Sequence, residues 1–357
     1  FQSTSNLLYL SLIFRMNVKS FYQDKTILIT GGAGAIGRNL VEAISILGAK
    51  KIIILDNLSS SFPWNIPNHS NVLFVKGDIR DDDDLRRVFH HQPTIVFHLA
   101  SFFANQNSID YPLENESVNG LGMLKLLEYC VLSGKIERFV YTNSEGGAYG
   151  HDCALPYHED SISYQLSSPY YISKMAGESY CYYYHSHYNL PVSIVRLFNS
   201  FGPGEVPGQY RNVIPNFIYW ALKKQPLPLT GNKNISRDFT FVSDIVEGIL
   251  RAGVSQEAIA KPINIATGSE TLIYELAALI NKKTSNPAGV RILEKRKWDS
   301  REKIIGNNQR CRDVLGFKPK PNLDEGLDLT IQWFRDNWEN IENSVVFSPG
   351  INPALDI

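Results

Sequence analysis

Tyr170 and Lys174 stand four residues apart in the stretch PYYISK, so a helix there puts both on one face. A tyrosine with its ordinary pKa of about 10 is a poor base at neutral pH. A lysine ammonium held beside it stabilises the phenolate and brings that pKa down, which makes a proton-transfer pair. Tyr171 competes for the role, but its partner four residues on is Met175, so the spacing selects Tyr170. Tyr180, Tyr182, Tyr183 and Tyr184 on the same segment read as packing rather than chemistry. A second cluster is YTNSEGGAYG at 141–150, which offers hydroxyls, an amide and a carboxylate before a glycine pair. Counted forward from the strand-like run RFVY, Ser144 sits at the strand end, where side-chain direction is fixed. Its hydroxyl can donate a hydrogen bond to a substrate oxygen, which the Glu145 carboxylate can do only when protonated.

A third cluster is TGGAGAIG, which holds Gly31, Gly34 and Gly37 between a β-branched run and an amphipathic one. In a strand–turn–helix setting these glycines allow a tight turn, close backbone approach to a pyrophosphate, and close helix packing. The helix N-terminus adds free N–H groups and the positive end of a dipole. Asp56 ends the next apolar run, where a carboxylate binds a ribose 2′-OH and repels a 2′-phosphate; this favours NAD over NADP. Asp78, in KGDIRD, is placed for the adenine.

The elements that must hold these groups alternate. KTILIT, KIIILD, VLFVKGD, TIVFHLA, RFVYTNS and VSIVRLFN read as strands, and the segments between most of them carry helical periodicity, including LGMLKLLEYCVLSG at 121–134 and the tyrosine-rich 169–188. Strands apolar throughout and spaced by helices predict a parallel sheet covered on both faces, a doubly wound α/β (Rossmann) architecture. After residue 200 the texture changes. GPGEVPG is turn-rich, SRDFTFVSDIVEGILRA and PINIAT read as a late return to the sheet, and helices are expected at ETLIYELAALINKK and from Leu323 to Trp338. The expected division is 24–201 plus 236–267 for the cofactor domain and 202–235 plus 268–342 for a smaller, interleaved mixed α/β domain. Residues 343–357 read as a tail. Residues 1–15, with the apolar run LLYLSLIF ahead of Met16, read as a tag remnant or upstream extension.

The combination TGxxGxxG, DNLSS, GDIRD and HLAS resembles the extended short-chain dehydrogenase/reductase family, specifically its nucleotide-sugar epimerases and dehydratases, from about Lys25 to about Trp338. The resemblance implies a bound, recycled NAD held by Gly31, Gly34, Ala35, Ile36, Gly37, Asp56, Asn57, Asp78, Ile79, Leu99, Ala100 and Ser101, together with Tyr170 and Lys174. It gives Tyr170 the part of catalytic base and Lys174 that of its tuning partner. On the substrate side it implies contacts from Ser144, Asn199 in RLFNSFGPG, and Asn212 with Val213 in RNVIPNFI. It further implies a diphosphate clamp of Arg237 in SRDFTFV and Arg296 in RKWD, although the family's usual Arg-x-Gly-Asp stands here as Arg-Lys-Trp-Asp. Arginine suits that part because its planar fork meets phosphate oxygens two at a time.

The serine turn divides the family. Counting back from Tyr149-Gly150 as in the common Ser-x-x-x-Tyr-Gly seats Glu145 where the hydroxyl belongs, whereas the strand end seats Ser144; the strand end is the firmer anchor, because a Gly-Gly turn absorbs one extra residue. In the sugar 4,6-dehydratases two acidic residues follow the hydroxyl residue and work as acid and base; here Glu145 is followed by Gly146. In the 4-epimerases those positions are small and non-acidic. The reading that follows is an NAD-dependent epimerase of a nucleoside-diphosphate sugar, a UDP-sugar, acting at C4 through a 4-keto intermediate. Its rivals are a dehydratase using Glu145 as catalytic acid or base, a UDP-glucuronate decarboxylase, and a non-catalytic NAD-sensing protein on the same fold.

Bulk properties bound the alternatives. The 357 residues carry a net charge of -1, which gives no electrostatic argument for nucleic acid or an anionic membrane. Cys130, Cys153, Cys181 and Cys311 have neither disulfide-framework nor zinc-ligand spacing, which fits a reducing cytoplasm, and no metal is expected. Pairing of two copies through the helices near 112–134 and 169–188, a homodimer, is implied by the resemblance.

Overall fold

The structure, a computed structural model, describes residues 18–294 and 301–347. Seven parallel strands form its central sheet: β1 (Thr26–Thr30), β2 (Lys51–Asp56), β3 (Val72–Lys76), β4 (Ile95–His98), β5 (Arg138–Ser144), β6 (Val192–Leu197) and β11 (Pro262–Ile265). Their spatial order is β11-β6-β5-β4-β1-β2-β3. Side chains alternate along a strand, and the two faces fill with different partners. Ile27, Ile29, Ile52, Ile54, Val140 and Ile263 pack against α1 (Ala35–Ile46) and, through Ile245 and Ile249, α6 (Val242–Val254). Leu28, Ile53, Leu55, Val96 and Phe139 pack against α2 (Asp82–Phe89), α3 (Met123–Ser133) and α4 (Pro169–Tyr188). Each such side chain contributes about 1.5–3 kcal/mol when fully buried, which is why apolar runs specify this sheet. The doubly wound parallel sheet expected from the sequence is the fold observed.

Local signals set the helices that carry the site. Asp81 caps α2, its carboxylate accepting from the backbone N–H of Asp83 and Asp84 at 2.8 and 3.0 Å. Ser168 caps α4 by accepting from Tyr171 N–H at 3.3 Å, Pro169 opens that helix, and Asn189 ends it in the left-handed conformation at φ 54°. The expected helix at 121–134 begins as a wider helical turn, Ser117–Gly122, before α3.

The remaining segments build a second layer over the carboxyl ends of the strands. It contains three two-stranded pairs: β7 (Ser200–Phe201) with β10 (Thr240–Phe241), β8 (Leu227–Thr230) with β13 (Val290–Leu293), and β9 (Ser236–Arg237) with β12 (Thr271–Leu272). Helices α5 (Val213–Leu222), α7 (Ile273–Thr284) and α8 (Leu323–Asp336) share a core of Phe201, Phe217, Phe241, Leu276, Leu327 and Phe334. Two sequence expectations change here. Only PINIAT rejoins the central sheet; the segment before it makes two short strands outside that sheet and then α6, which covers it. The helix expected from Leu323 to Trp338 stops at Asp336, and another, Trp338–Ser344, follows. The end of that helix and the chain just beyond it are packed rather than free: Trp64 Nε1 donates to Ser344 Oγ at 2.9 Å, and the Phe347 ring lies 4.7 Å from Trp220.

Candidate active site

Strand order reverses between β1 and β4, and the loops leaving their carboxyl ends diverge to open a crevice there. The β1 loop needs glycine. Gly31 has φ +72°, and a Cβ on it would lie 2.6 Å from Ala100 N in the β4 loop; a Cβ on Gly37 would lie 2.3 Å from Gly31 O. Gly34 caps α1 with no side-chain hydrogen bond, so the first N–H groups of that helix stay open to an anion. A cavity of about 990 Å³ begins here and runs under the second layer. Every sequence-predicted residue among those described lies on its wall: Gly31, Gly34, Ala35, Ile36, Gly37, Asp56, Asn57, Asp78, Ile79, Leu99, Ala100, Ser101, Ser144, Glu145, Tyr170, Lys174, Asn199, Asn212, Val213 and Arg237. Arg296 lies outside the described residues.

At the cofactor end, Asp56 Oδ1 accepts from Leu58 N–H and Ser61 Oγ, both at 2.9 Å, and Oδ2 from Ala33 N–H at 3.1 Å. A carboxylate oxygen takes about two hydrogen bonds, so Oδ2 keeps a lone pair for a ribose hydroxyl. Asp78 is more committed: Arg80 binds both its oxygens at 2.8–2.9 Å and Asn57 Nδ2 donates to Oδ2 at 3.0 Å. Burial pushes its carboxyl up, but the Arg80 and Asn57 bonds and the Arg80 charge outweigh this and hold it at about 2. The open helix end, the uncapped Gly34 and the free side of Asp56 together fit a dinucleotide.

In the middle of the cavity, β5 and α4 bring four residues together. Lys174 Nζ donates to Thr142 O at 2.9 Å and sits 6.0 Å from the centre of the Tyr170 ring. Burial lowers the Lys174 pKa to about 8. Burial raises that of Tyr170, the charge of Glu145 adds to the rise, and hydrogen bonds with Ser101 and Ser144 oppose it. Ser144 is the last residue of β5; Gly146 N–H donates to its Oγ at 3.2 Å, and its hydroxyl donates to Glu145 Oε2 at 3.3 Å. The glycine pair is a steric requirement as well as a flexible turn. A Cβ on Gly146 would fall 1.9 Å from the Tyr171 ring, and one on Gly147 2.1 Å from Asn143 Oδ1 and 2.8 Å from Lys174 Cβ.

Two residues here escaped sequence reasoning. Arg301 is 8% exposed; its Nη2 lies 3.4 Å from Glu145 Oε1, and its guanidinium lies 4.9 Å from the Tyr171 ring. Tyr171, held at its hydroxyl by Asn105 Nδ2 at 2.8 Å, also donates to Glu145 at 3.5 Å. Arg301 has no periodic or motif signal around it, and Tyr171 fails the i,i+4 test that selects Tyr170. Only the turn of the chain after residue 300 back toward β5 brings arginine, tyrosine and carboxylate together. On the substrate side, Asn212 Nδ2 donates to Glu205 Oε1 at 2.9 Å, Arg237 Nη1 donates to Ser236 O at 2.6 Å, and Asn199 Nδ2 is buried with no hydrogen-bond partner among the described residues.

The sequence pattern of the NAD dependent epimerase/dehydratase family matches residues 27–266. The chain belongs to that family. The UDP-glucose 4-epimerase of Mycolicibacterium smegmatis is 33% identical over 87% of this chain and 98% of its own length. The structure of epimerase Mth375 from Methanothermobacter thermautotrophicus superposes with a TM-score of 0.91 at 49% identity, covering 93% of this chain and 98% of that one. Bordetella bronchiseptica WbmF, solved in complex with NAD+ and UDP, superposes at 0.78 with 35% identity, covering 91% and 96%. Relatives further afield include nucleotide-sugar dehydratases and decarboxylases. The family is NAD-dependent and its members act on nucleotide sugars, so NAD is the cofactor. Among the described residues no helix is long and apolar enough to cross a membrane, and no cluster of metal-binding side chains occurs.

Proposed function

We propose that the protein interconverts C4 epimers of a UDP-sugar. The observation that carries this reading is the meeting of Tyr170, Ser144 and Lys174 in one cavity of about 990 Å³ that runs from the Gly31–Gly37 turn to Arg237. Bound NAD supplies a hydride acceptor at C4, a hydride donor for the return step, and a positive charge. The protein's part is the proton and the positioning. Tyr170 takes the proton from the sugar 4-OH, and Ser144 hydrogen-bonds the same oxygen. Lys174, at 6.0 Å from the Tyr170 ring centre, offsets the cost of a buried phenolate. The second layer holds the nucleotide: Arg237 meets the diphosphate, and Asn199, Asn212 and Val213 line its path. The 4-keto sugar turns over on that anchor, takes hydride on its other face, and recovers its proton from Tyr170. Two copies pair through the helices near 112–134 and α4, whose exposed Leu121, Leu132, Ile172 and Tyr183 support the contact.

Arg301 favours a second reading. A sugar acid oxidised at C4 becomes a β-keto acid, which loses carbon dioxide, and a buried guanidinium beside Glu145 is a group that would hold its carboxylate. Water elimination by Glu145 is the third possibility, weakened by the engagement of Glu145 with Arg301 and by glycine at 146. Product NMR after incubation with UDP-glucose, UDP-N-acetylglucosamine and UDP-glucuronate tests all three. Inverted C4 with unchanged mass supports the first reading; loss of carbon dioxide or of water overturns it.

A further inference from the structure

The loop at 202–212 is tied to both sides of the cavity. On the cofactor side, Pro203 O accepts from Asn39 Nδ2 and Gly204 O from Asn65 Nδ2, each at 2.8 Å. On the other side, Gly208 N–H donates to Asn216 Oδ1 at 2.9 Å and Gln209 N–H to Val346 O at 3.3 Å. Near the end of this loop, Arg211 reaches back across the cleft, where its Nη2 donates to Ser60 O in the segment that follows Asp56. That is the one hydrogen bond of its guanidinium among the described residues, and no carboxylate among them lies within ion-pair distance. The nearest acid acting on it is Glu205, which attracts it through space while its own Oε1 accepts from Asn212.

A guanidinium has five N–H donors, so one served by a single protein carbonyl keeps donors for a ligand or for water. Burial lowers the Arg211 pKa, with Glu205 only partly offsetting this. Its free donors face space rather than protein: Arg211 lines the main cavity and also a small recess bounded by Gly34, Ala35, Ser60 and Ser61. Those residues are the open N-terminus of α1 and the ribose-side loop, so an anion bound there meets helix N–H groups from one lobe and the arginine from the other. A 2′-phosphate on the ribose would meet the Asp56 carboxylate, which leaves the diphosphate bridge.

We propose that Arg211 is a ligand of the cofactor's diphosphate, delivered across the cleft by the substrate-side loop, so that both lobes retain the cofactor. This rests on the NAD site and is independent of whether the sugar is epimerised, decarboxylated or dehydrated. The test follows exchange of NAD out of the full-length protein into excess fluorescent ethenoadenine analogue of NAD, with UDP affinity of the same preparation measured by calorimetry. Arg211→Met should speed exchange about 10- to 100-fold, the range expected for a lost charged hydrogen bond, and Arg211→Lys should fall between it and the parent. UDP affinity should stay within about twofold of the parent, which also shows that the variants fold. Unchanged exchange overturns the assignment, as does weaker UDP binding without faster exchange, which would hand Arg211 to the sugar nucleotide. A parent protein that carries no NAD overturns the cofactor site and this assignment with it.

Discussion

Tyr170 is buried against Lys174, with hydrogen bonds to Ser101 and Ser144, and the proposed reaction makes its phenol the acid and base. Tyr170→Phe removes one oxygen and keeps the ring packing on Phe103, whose centroid lies 6.2 Å away. Turnover should fall about a hundredfold to ten-thousandfold while bound NAD is retained, as single-turnover kinetics and released-cofactor absorbance would show. The Lys174 pKa adds a pH signature. Burial brings it down to about 8, so above that pH the ammonium is lost, the phenolate loses its counter-charge, and kcat/KM should fall with a midpoint near 8. The sign for stability is opposite. Between about 8 and the ordinary 10.5 the unfolded chain binds more protons at Lys174 than the folded one, so that residue's contribution to stability rises with pH across the window. Glu145→Gln keeps the shape and removes the charge beside Tyr170. An epimerase should keep most of its rate, and a dehydratase should lose it. Ser144, Tyr170 and Lys174 were legible in the sequence because a strand end and a helical spacing fix side-chain direction. Arg301 and Tyr171 were not, because their partnership with Glu145 spans 156 and 26 residues of chain.

At the scale of elements, β5 and α4 work as one unit. Tyr141 OH donates to Lys174 O at 3.0 Å, and Asn143 Nδ2 donates to Glu178 Oε2 at 2.6 Å. Glu178 in turn forms a buried pair with Arg196 of β6 at 2.6 Å. The turn after Ser144 must therefore pass very close to α4, which is why two glycines stand there. Gly147→Ala puts a methyl against Asn143 Oδ1 and Lys174 Cβ, both fixed by these bonds. It should lower stability by about 1–3 kcal/mol in a denaturant titration and cost activity beyond that loss, because Lys174 shifts with the turn. The alternation of strand and helix was readable from apolar runs in the first half of the chain. The second layer was read less well, since its strands are as short as two residues and carry almost no periodicity.

For the molecule as a whole, the cavity is shared between the sheet and the layer above it, and the loop at 202–212 crosses from one to the other. The helices near 112–134 and α4 carry several exposed apolar side chains, Leu113, Leu132 and Ile172 among them. If two copies pair there, light scattering after size exclusion should give twice the chain mass of 40.3 kDa, and Leu132→Asp with Ile172→Asp should give the monomer. A parent that runs as a monomer refutes the pairing. The central claim is reversible oxidation at C4 within one closed site, and isotope retention reads it directly. UDP-glucose carrying deuterium at C4 is incubated with the enzyme and the product sugar examined by NMR and mass spectrometry. The account predicts a C4-inverted sugar that keeps its deuterium at C4 and its full mass. A product that has lost water, or an inverted one whose C4 deuterium has washed out to solvent, would contradict it.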